Sequence, residues 1–356
     1  MNIDESEQKL LRALEQFPRT SLAQLPTPMH RLVNLSKHLG GIELWIKRDD
    51  LTGLAGGGNK TRKLEFLVGD ARREGADTLV SVGAIQSNHT RQTAAAAARA
   101  GLKCALLHCA WTEDSGPYYR VVGNLLLSSL MGAELYSDAT QRPIEDETPI
   151  DALAKYIARR GGRPYLIPAG ASEHRLGSLG YSVCAAEIMM QSRALGVQFD
   201  FVVHTTGSSS TQSGLLAGFA ALKARTRVIG VADDYETAIK RGRVKRLAND
   251  TLNMIGFDER LDEADVEIVA SDLSAYGVCD EDTIGAIRLL ARTEGLIADP
   301  VYEGKALRGL IDLVAHGRFA RGSKVLLLHL GGSPALHAYA NRFGPIALNR
   351  APTFDA

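Results

Sequence analysis

The stretch DTLVSVG, Asp77 to Gly83, is a short run of apolar and β-branched residues that stops at a glycine. Such a run reads as a strand buried on both faces. The segment from Arg91 to Ala100 is helical in character, and Lys103-Cys-Ala-Leu-Leu-His108 forms the next strand. The alternation continues with a helix over Asn124 to Met131, a short strand over Glu134 to Tyr136, a helix over Ile150 to Arg160 and a strand over Pro164 to Pro168. Phe199 to His204, Arg227 to Val231 and Lys324 to His329 are strand-like too, with helices between them. The expectation is an α/β protein with open, mostly parallel sheets covered by helices and joined by right-handed crossovers.

The totals narrow the field. A chain of 356 residues, 45% hydrophobic and 23% charged, makes one large or two moderate soluble domains. Lys plus Arg equals Asp plus Glu at 41 each, so no net basic field draws nucleic acid or an anionic membrane. The charged start MNIDESEQKLLRALEQF lacks the apolar core of a signal peptide, and no apolar run is long enough to span a bilayer. The scattered Cys104, Cys109, Cys184 and Cys279 form neither a CxxC pair nor a zinc-finger spacing, which suits a reduced, cytoplasmic protein without metal. No repeat stands out, and Asn349 to Ala356 reads as a tail.

Open α/β sheets bind ligands at the carboxyl ends of their strands. Three strand ends here carry small and hydroxylated residues: GAIQSNHTRQT from Gly83, HTTGSSSTQSG from His204 and HLGGSPA from His329. In the second, Thr205 to Thr211 lead into a helix, where unpaired N–H groups and hydroxyls make a phosphate cradle. Neither a Walker lysine nor a GxGxxG fingerprint accompanies it, which leaves a lone phosphate on a smaller cofactor. The plainer alternative is a Ser-rich helix cap.

Upstream, GGGNKTRKLEF (Gly56 to Phe66) sets Lys60 in a glycine turn. A lysine in such a turn plus a phosphate cradle suggests pyridoxal phosphate held as a Schiff base. That lysine must be neutral part of the time, and Lys63, three residues on, is expected to depress it. Against this stands the usual fate of lysine, a solvated surface charge.

Four motifs in order, KRDDLTGLAGGGNKTRKLEFL, GAIQSNHTRQTAA, ADPVYEGKALRGLID and HLGGSPALHAY, make the chain resemble the D-cysteine desulfhydrase / 1-aminocyclopropane-1-carboxylate deaminase family from about Pro18 to Tyr339. The resemblance implies pyridoxal 5'-phosphate as cofactor, the tryptophan-synthase-β fold (fold type II), a homodimer and a small amino-acid substrate. It implies a smaller domain over 61–171 inserted in a larger one made of 1–60 and 172–356, with the site in the cleft. By the same resemblance Lys60 carries the cofactor, Asn88 bonds its ring oxygen, and Thr206, Gly207, Ser208, Ser209, Ser210 and Thr211 hold its phosphate. Glu303 reaches the pyridine nitrogen. Ser87 lies near the substrate α-carbon. Ser87, Asn88 and His89 hold the substrate carboxylate, Tyr276 and Tyr302 flank the substrate, and Trp111 lies on the substrate side. The structural alternatives are a capping carboxylate for Glu303, core aromatics for Tyr276, Tyr302 and Trp111, and a helix-terminal polar group for His89.

Two reactions belong to that resemblance. One is β-elimination from D-cysteine, giving pyruvate, ammonia and sulfide. The other opens 1-aminocyclopropane-1-carboxylate to 2-oxobutanoate and ammonia. Glu303, Leu330, Trp111 and YRVVGNLLLSSLMGA resemble the deaminase branch, whereas His89 and the longer TGSSSTQ loop resemble the desulfhydrases. Cys279 in YGVCDED departs from both, which usually have proline there. The expectation set here is D-cysteine desulfhydrase first and the deaminase second. A cysteate sulfo-lyase comes third, motivated by an imidazole at His89 that could take a second anion, and a non-catalytic phosphate- or cofactor-binding protein comes last.

Overall fold

The computed structural model describes residues 4–113, 116–140, 143, 146–234, 236–270 and 272–348. The tail expected over Asn349 to Ala356 lies outside them. Among the described residues, ten strands fall into two sheets. The strands are β1 (Met29–Arg31), β2 (Glu43–Arg48), β3 (Thr78–Ala84), β4 (Lys103–Cys109), β5 (Glu134–Asp138), β6 (Pro164–Ile167), β7 (Phe201–Thr206), β8 (Arg227–Ala232), β9 (Glu267–Val269) and β10 (Lys324–His329). The larger sheet has the order β1-β2-β10-β7-β8-β9 and the smaller one β5-β4-β3-β6. All neighbours are parallel except the β1–β2 pair at one edge.

The sequence pattern explains both sheets. Every residue of β3 is buried, as the run of Leu, Val and Ser between helices requires. On one side of it lie the helices Lys60–Arg73 and Asn88–Ala100. The small side chains of Ala94, Ala96 and Ala97 let the second of these sit close to the strands. On the other side packs Thr148–Arg159, through Ile150, Leu153 and Ile157. The larger sheet is likewise sandwiched. Glu281–Glu294 and Glu303–Ala315 cover one face, and Leu179–Leu195, Ser210–Ala221 and Thr237–Met254 cover the other.

Under the start of the Lys60–Arg73 helix lies a buried ionic knot. Arg62 donates to both carboxylate oxygens of Asp49 at 2.8 Å and to those of Glu187 at 2.9 and 3.0 Å. Lys47 pairs with Glu187, and Tyr181 donates to Asp49 at 2.6 Å. Two cations balance two anions here, with every member buried. The knot joins β2, the Lys60–Arg73 helix and the Leu179–Leu195 helix.

Candidate active site

The carboxyl ends of β3, β4, β6, β7 and β8 border one cavity of about 1260 Å³. It is lined by Lys60, Ser87, His89, Trp111, Gly207, Ser208, Tyr276 and Tyr302 among others. Asn88, Thr206, Ser209, Ser210, Thr211 and Glu303 are buried around it rather than along its open wall.

The glycine turn delivers Lys60. Gly57 has φ +69°, and a Cβ there would lie 1.8 Å from the Asp50 carbonyl oxygen, so only glycine closes the turn. Gly58 N–H donates to Thr52 Oγ1 at 2.8 Å, and Asn59 N–H donates to the Leu330 carbonyl at 2.9 Å. The Asn59 side chain reaches Thr211 Oγ1 at 3.2 Å. Lys60 opens the following helix, with its Nζ 5.4 Å from the centre of the Tyr302 ring. Desolvation draws its amine down to about 8, against the pull of Asp233, Asp299 and Glu303 and with help from Arg91.

The influence expected of Lys63 on Lys60 runs the other way. Burial, aided by Lys60, pushes the Lys63 amine well below its usual range, so Lys63 has little charge to exert. Its Nζ donates to Ser210 Oγ at 2.7 Å and to the Gly170 carbonyl at 3.3 Å. Its place is beside the hydroxyl-rich loop, a role that the three-residue spacing from Lys60 did not disclose.

That loop follows β7. Gly207 faces Asp233, and a Cβ on Gly207 would sit 2.1 Å from Asp233 Oδ2. Ser209 takes φ +69°, and the twelve-residue helix Ser210–Ala221 begins directly after it. Its first N–H groups have no partner within the helix. Thr206 Oγ1 and Ser209 Oγ are buried without a hydrogen-bond partner. Buried orphan hydroxyls at a helix N-terminus suit a phosphate monoester.

At the end of β3, Ser87 caps the Asn88–Ala100 helix, its Oγ accepting from His89 N–H and Thr90 N–H at 3.2 Å. The His89 ring is buried, with Nε2 2.8 Å from Ser81 Oγ. Ser81 Oγ also lies 2.8 Å from the Ile167 carbonyl, to which it donates. Desolvation holds the imidazole neutral. Nδ1 is buried without a partner. Trp111, half-buried, packs on the Val80–Leu107 core while facing the cavity, so the packing and substrate-side readings both describe it.

Opposite stands the start of the Glu303–Ala315 helix. Tyr276 and Tyr302 share a hydroxyl–hydroxyl hydrogen bond of 2.6 Å. Desolvation raises both phenols, keeping them protonated at neutral pH. Asp299 accepts from the N–H groups of Val301, Tyr302 and Glu303 at 2.8, 2.9 and 3.2 Å, so the capping carboxylate at this helix is Asp299 and not Glu303. Glu303 is buried, and its Oε1 has no partner. Desolvation and the neighbouring Asp299 raise it well above the usual carboxylate range. Asp233 and Asp299 were not nominated from sequence. Asp233 directly follows β8, and the strand-end rule applied to that strand would have found it.

Comparison with known proteins follows this geometry. Residues 20–331 match the family model described as pyridoxal-phosphate dependent enzyme. A 1-aminocyclopropane-1-carboxylate deaminase of Methylobacterium nodulans is 46% identical over 340 residues, covering 93% of this chain and 99% of the relative. That of Burkholderia vietnamiensis is 46% identical over 333 residues, covering 93% and 98%. A solved structure described as an ACC deaminase homologue superposes with a TM-score of 0.85 at 35% identity, covering 94% of this chain and 98% of its own.

Proposed function

Because this chain belongs to the family of pyridoxal-phosphate dependent enzymes, we propose that it opens 1-aminocyclopropane-1-carboxylate and, with one water, releases 2-oxobutanoate and ammonia. The observation that carries this reading is the 46% identity, over nearly the whole of both chains, with relatives named for that reaction. It reverses the order of preference drawn from the sequence, where D-cysteine came first.

The residues fit the cofactor. The loop from Thr206 to Thr211, with Lys63 beside Ser210, would hold its phosphate, and Lys60 would carry it. The orphan Oε1 of Glu303 would accept a hydrogen bond from its pyridine N–H, and the Asn88 amide would donate to its ring oxygen. When bound, pyridoxal phosphate supplies an electron sink for the substrate amino acid. Glu303 serves this by holding the ring proton, since a nearby carboxylate favours the protonated ring. Ser87 and Asn88 hold the substrate carboxylate. The protonated Tyr302 and Tyr276 face the substrate carbons as a coupled pair, able to pass a proton along their shared hydrogen bond. The Lys60 amine, drawn down to about 8, would move protons beside them. The domain division at 61–171 suits this arrangement, because β3 to β6 all fall within it.

The test is to incubate the yellow protein separately with 1-aminocyclopropane-1-carboxylate, D-cysteine, L-cysteine and cysteate and to identify each 2-oxo acid. Oxobutanoate from the first supports the proposal. Pyruvate and sulfide from D-cysteine alone would return the reading to β-elimination. That second reading retains its own observation, the buried His89 ring on the cavity wall. Replacing Glu303 and Leu330 together by threonine is expected to shift selectivity from the cyclopropane toward D-cysteine. An unchanged ratio of kcat/KM values would show that ring protonation does not choose the reaction.

Capture of the cofactor should also depend on pH. Only the neutral amine attacks the aldehyde, and the neutral fraction grows as pH rises through about 8. The rate at which cofactor-free protein gains visible absorbance is expected to climb across that range and level off above it. A rate that is flat from pH 6 to pH 9 would rule out Lys60 as the titrating group.

A homodimer in the cytoplasm completes the proposal. Tyr118, Val121, Leu126 and Leu130 are exposed, and Leu126 and Leu130 share one face of the Gly123–Leu130 helix, which suits a second copy of the chain. The four cysteines are buried. Among the described residues, no helix is long and apolar enough to cross a membrane. Sedimentation at micromolar concentration should return twice the chain mass.

A further inference from the structure

Arg91 is fully buried, yet among the described residues it forms no ion pair. A buried guanidinium without a counter-charge is costly unless its donors are all used. Here each arm has a defined acceptor. Nη1 donates to the Ala55 carbonyl, Nη2 to the Gly57 carbonyl at 2.9 Å and Nε to Asn124 Oδ1 at 2.6 Å. The first two acceptors lie in the turn just before Lys60, where Ala55 itself sits at φ +47°, a conformation unfavourable for a residue with a Cβ. The third leads elsewhere. Asn124 Nδ2 donates to Asn88 Oδ1 and to the Gln86 carbonyl, both at 2.8 Å. With Oδ1 so engaged, the Asn88 amide is fixed the one way round that leaves its NH2 for another acceptor.

We propose that Arg91 is the positioning residue of Lys60, its guanidinium clamping the strained turn ahead of the amine and tying that turn to the Asn124–Asn88 pair. This inference rests on the pyridoxal-phosphate reading of the site. Arg91 acts on Lys60 in two ways. Its forked donors fix where the amine emerges. Its uncompensated positive charge, set against Asp233, Asp299 and Glu303, disfavours a second cation at Lys60. Of the other basic groups around the amine, Lys63 and His89 are pushed toward the neutral form by burial and Lys240 is paired with Asp233 at 3.3 Å, whereas Arg91 brings a charge with no carboxylate partner of its own among the described residues.

The experiment compares wild type with Arg91→Gln and Arg91→Lys in two readouts: the pH midpoint of cofactor capture and the rate of cofactor release on dilution. Arg91→Gln removes the charge and the fork. Its midpoint is expected to move upward and its release to quicken at least about tenfold, the effect of losing charge-assisted hydrogen bonds. Arg91→Lys keeps the charge but cannot span two carbonyls and Asn124, so release quickens while the midpoint stays near that of wild type. A folded Arg91→Gln protein that matches wild type in either readout overturns the proposal, since a residue that merely packs would not move the midpoint. Should Arg91→Gln not fold, Asn124→Ala carries the test. It is expected to release cofactor faster with its midpoint unmoved, and unchanged release overturns the coupling. Wild-type protein that captures no cofactor at any pH would instead sink the functional reading itself.

Discussion

Lys60→Ala protein, supplied with pyridoxal phosphate, is expected to show none of the visible absorbance of a lysine-bound cofactor and to turn over 1-aminocyclopropane-1-carboxylate at least about 10³-fold more slowly than wild type. The size of the effect follows from two losses in one substitution. The covalent anchor disappears, and so does the one amine held near neutrality in the cavity. Neither neighbour replaces it. Lys63 is turned away toward Ser210 and Gly170, and the donors of Arg91 are committed to Ala55, Gly57 and Asn124. The phosphate loop is untouched, so the variant should still bind the cofactor reversibly, and added alkylamine should restore part of the rate. Turnover within about tenfold of wild type would remove Lys60 from the mechanism.

Arg62→Met is expected to have the largest effect on stability, about 3–5 kcal/mol, because it leaves Asp49 and Glu187 buried with Lys47 as their remaining cation. A denaturant midpoint measured with unchanged slope is the appropriate check. Acid sensitivity gives a second one. Burial pushes the Asp49 carboxyl up, but the Arg62 charge and hydrogen bonds outweigh it and hold the group at about 2, below its ordinary 3.8. A lowered folded value stabilises at pH above the ordinary one, and that contribution fades as pH falls from 3.8 through 2. Without Arg62 the carboxyl rises, and acid unfolding should begin at a higher pH. An acid limb that superposes on that of wild type would mean that the knot is held by Lys47 and Tyr181 instead.

This knot also explains what the sequence concealed. β10 was legible to the residue, and β3 nearly so, because both are unbroken apolar runs. β2 was not nominated. Glu43-Leu-Trp-Ile-Lys-Arg48 carries three charged side chains, and Lys47 is buried only because Glu187, far along the chain, meets it. β1 and β9 are three-residue edge strands, too short for a period to show. The helix read from Arg91 begins at Asn88, since the Ser87 cap is a local signal that the alanine run overshadowed. At the site, the loop from Thr206 to Thr211 was visible as composition. Lys63 was noticed and misread, because spacing gives proximity to Lys60 but not the direction in which the side chain turns. His89 was nominated from sequence, yet its contact with Ser81 depends on how the helix after Ser87 packs on β3, which local sequence does not disclose.

The bond from Asn59 N–H to the Leu330 carbonyl has a consequence for biosynthesis. The ribosome makes the nucleophile early and its support late. Until β10 emerges, β2 lacks its inner neighbour, and the lysine turn lacks the strand end that anchors it. Contacts this distant in sequence form slowly. A nascent chain therefore passes most of its synthesis with an unfinished nucleophile, and cofactor loading waits until translation has gone beyond residue 330.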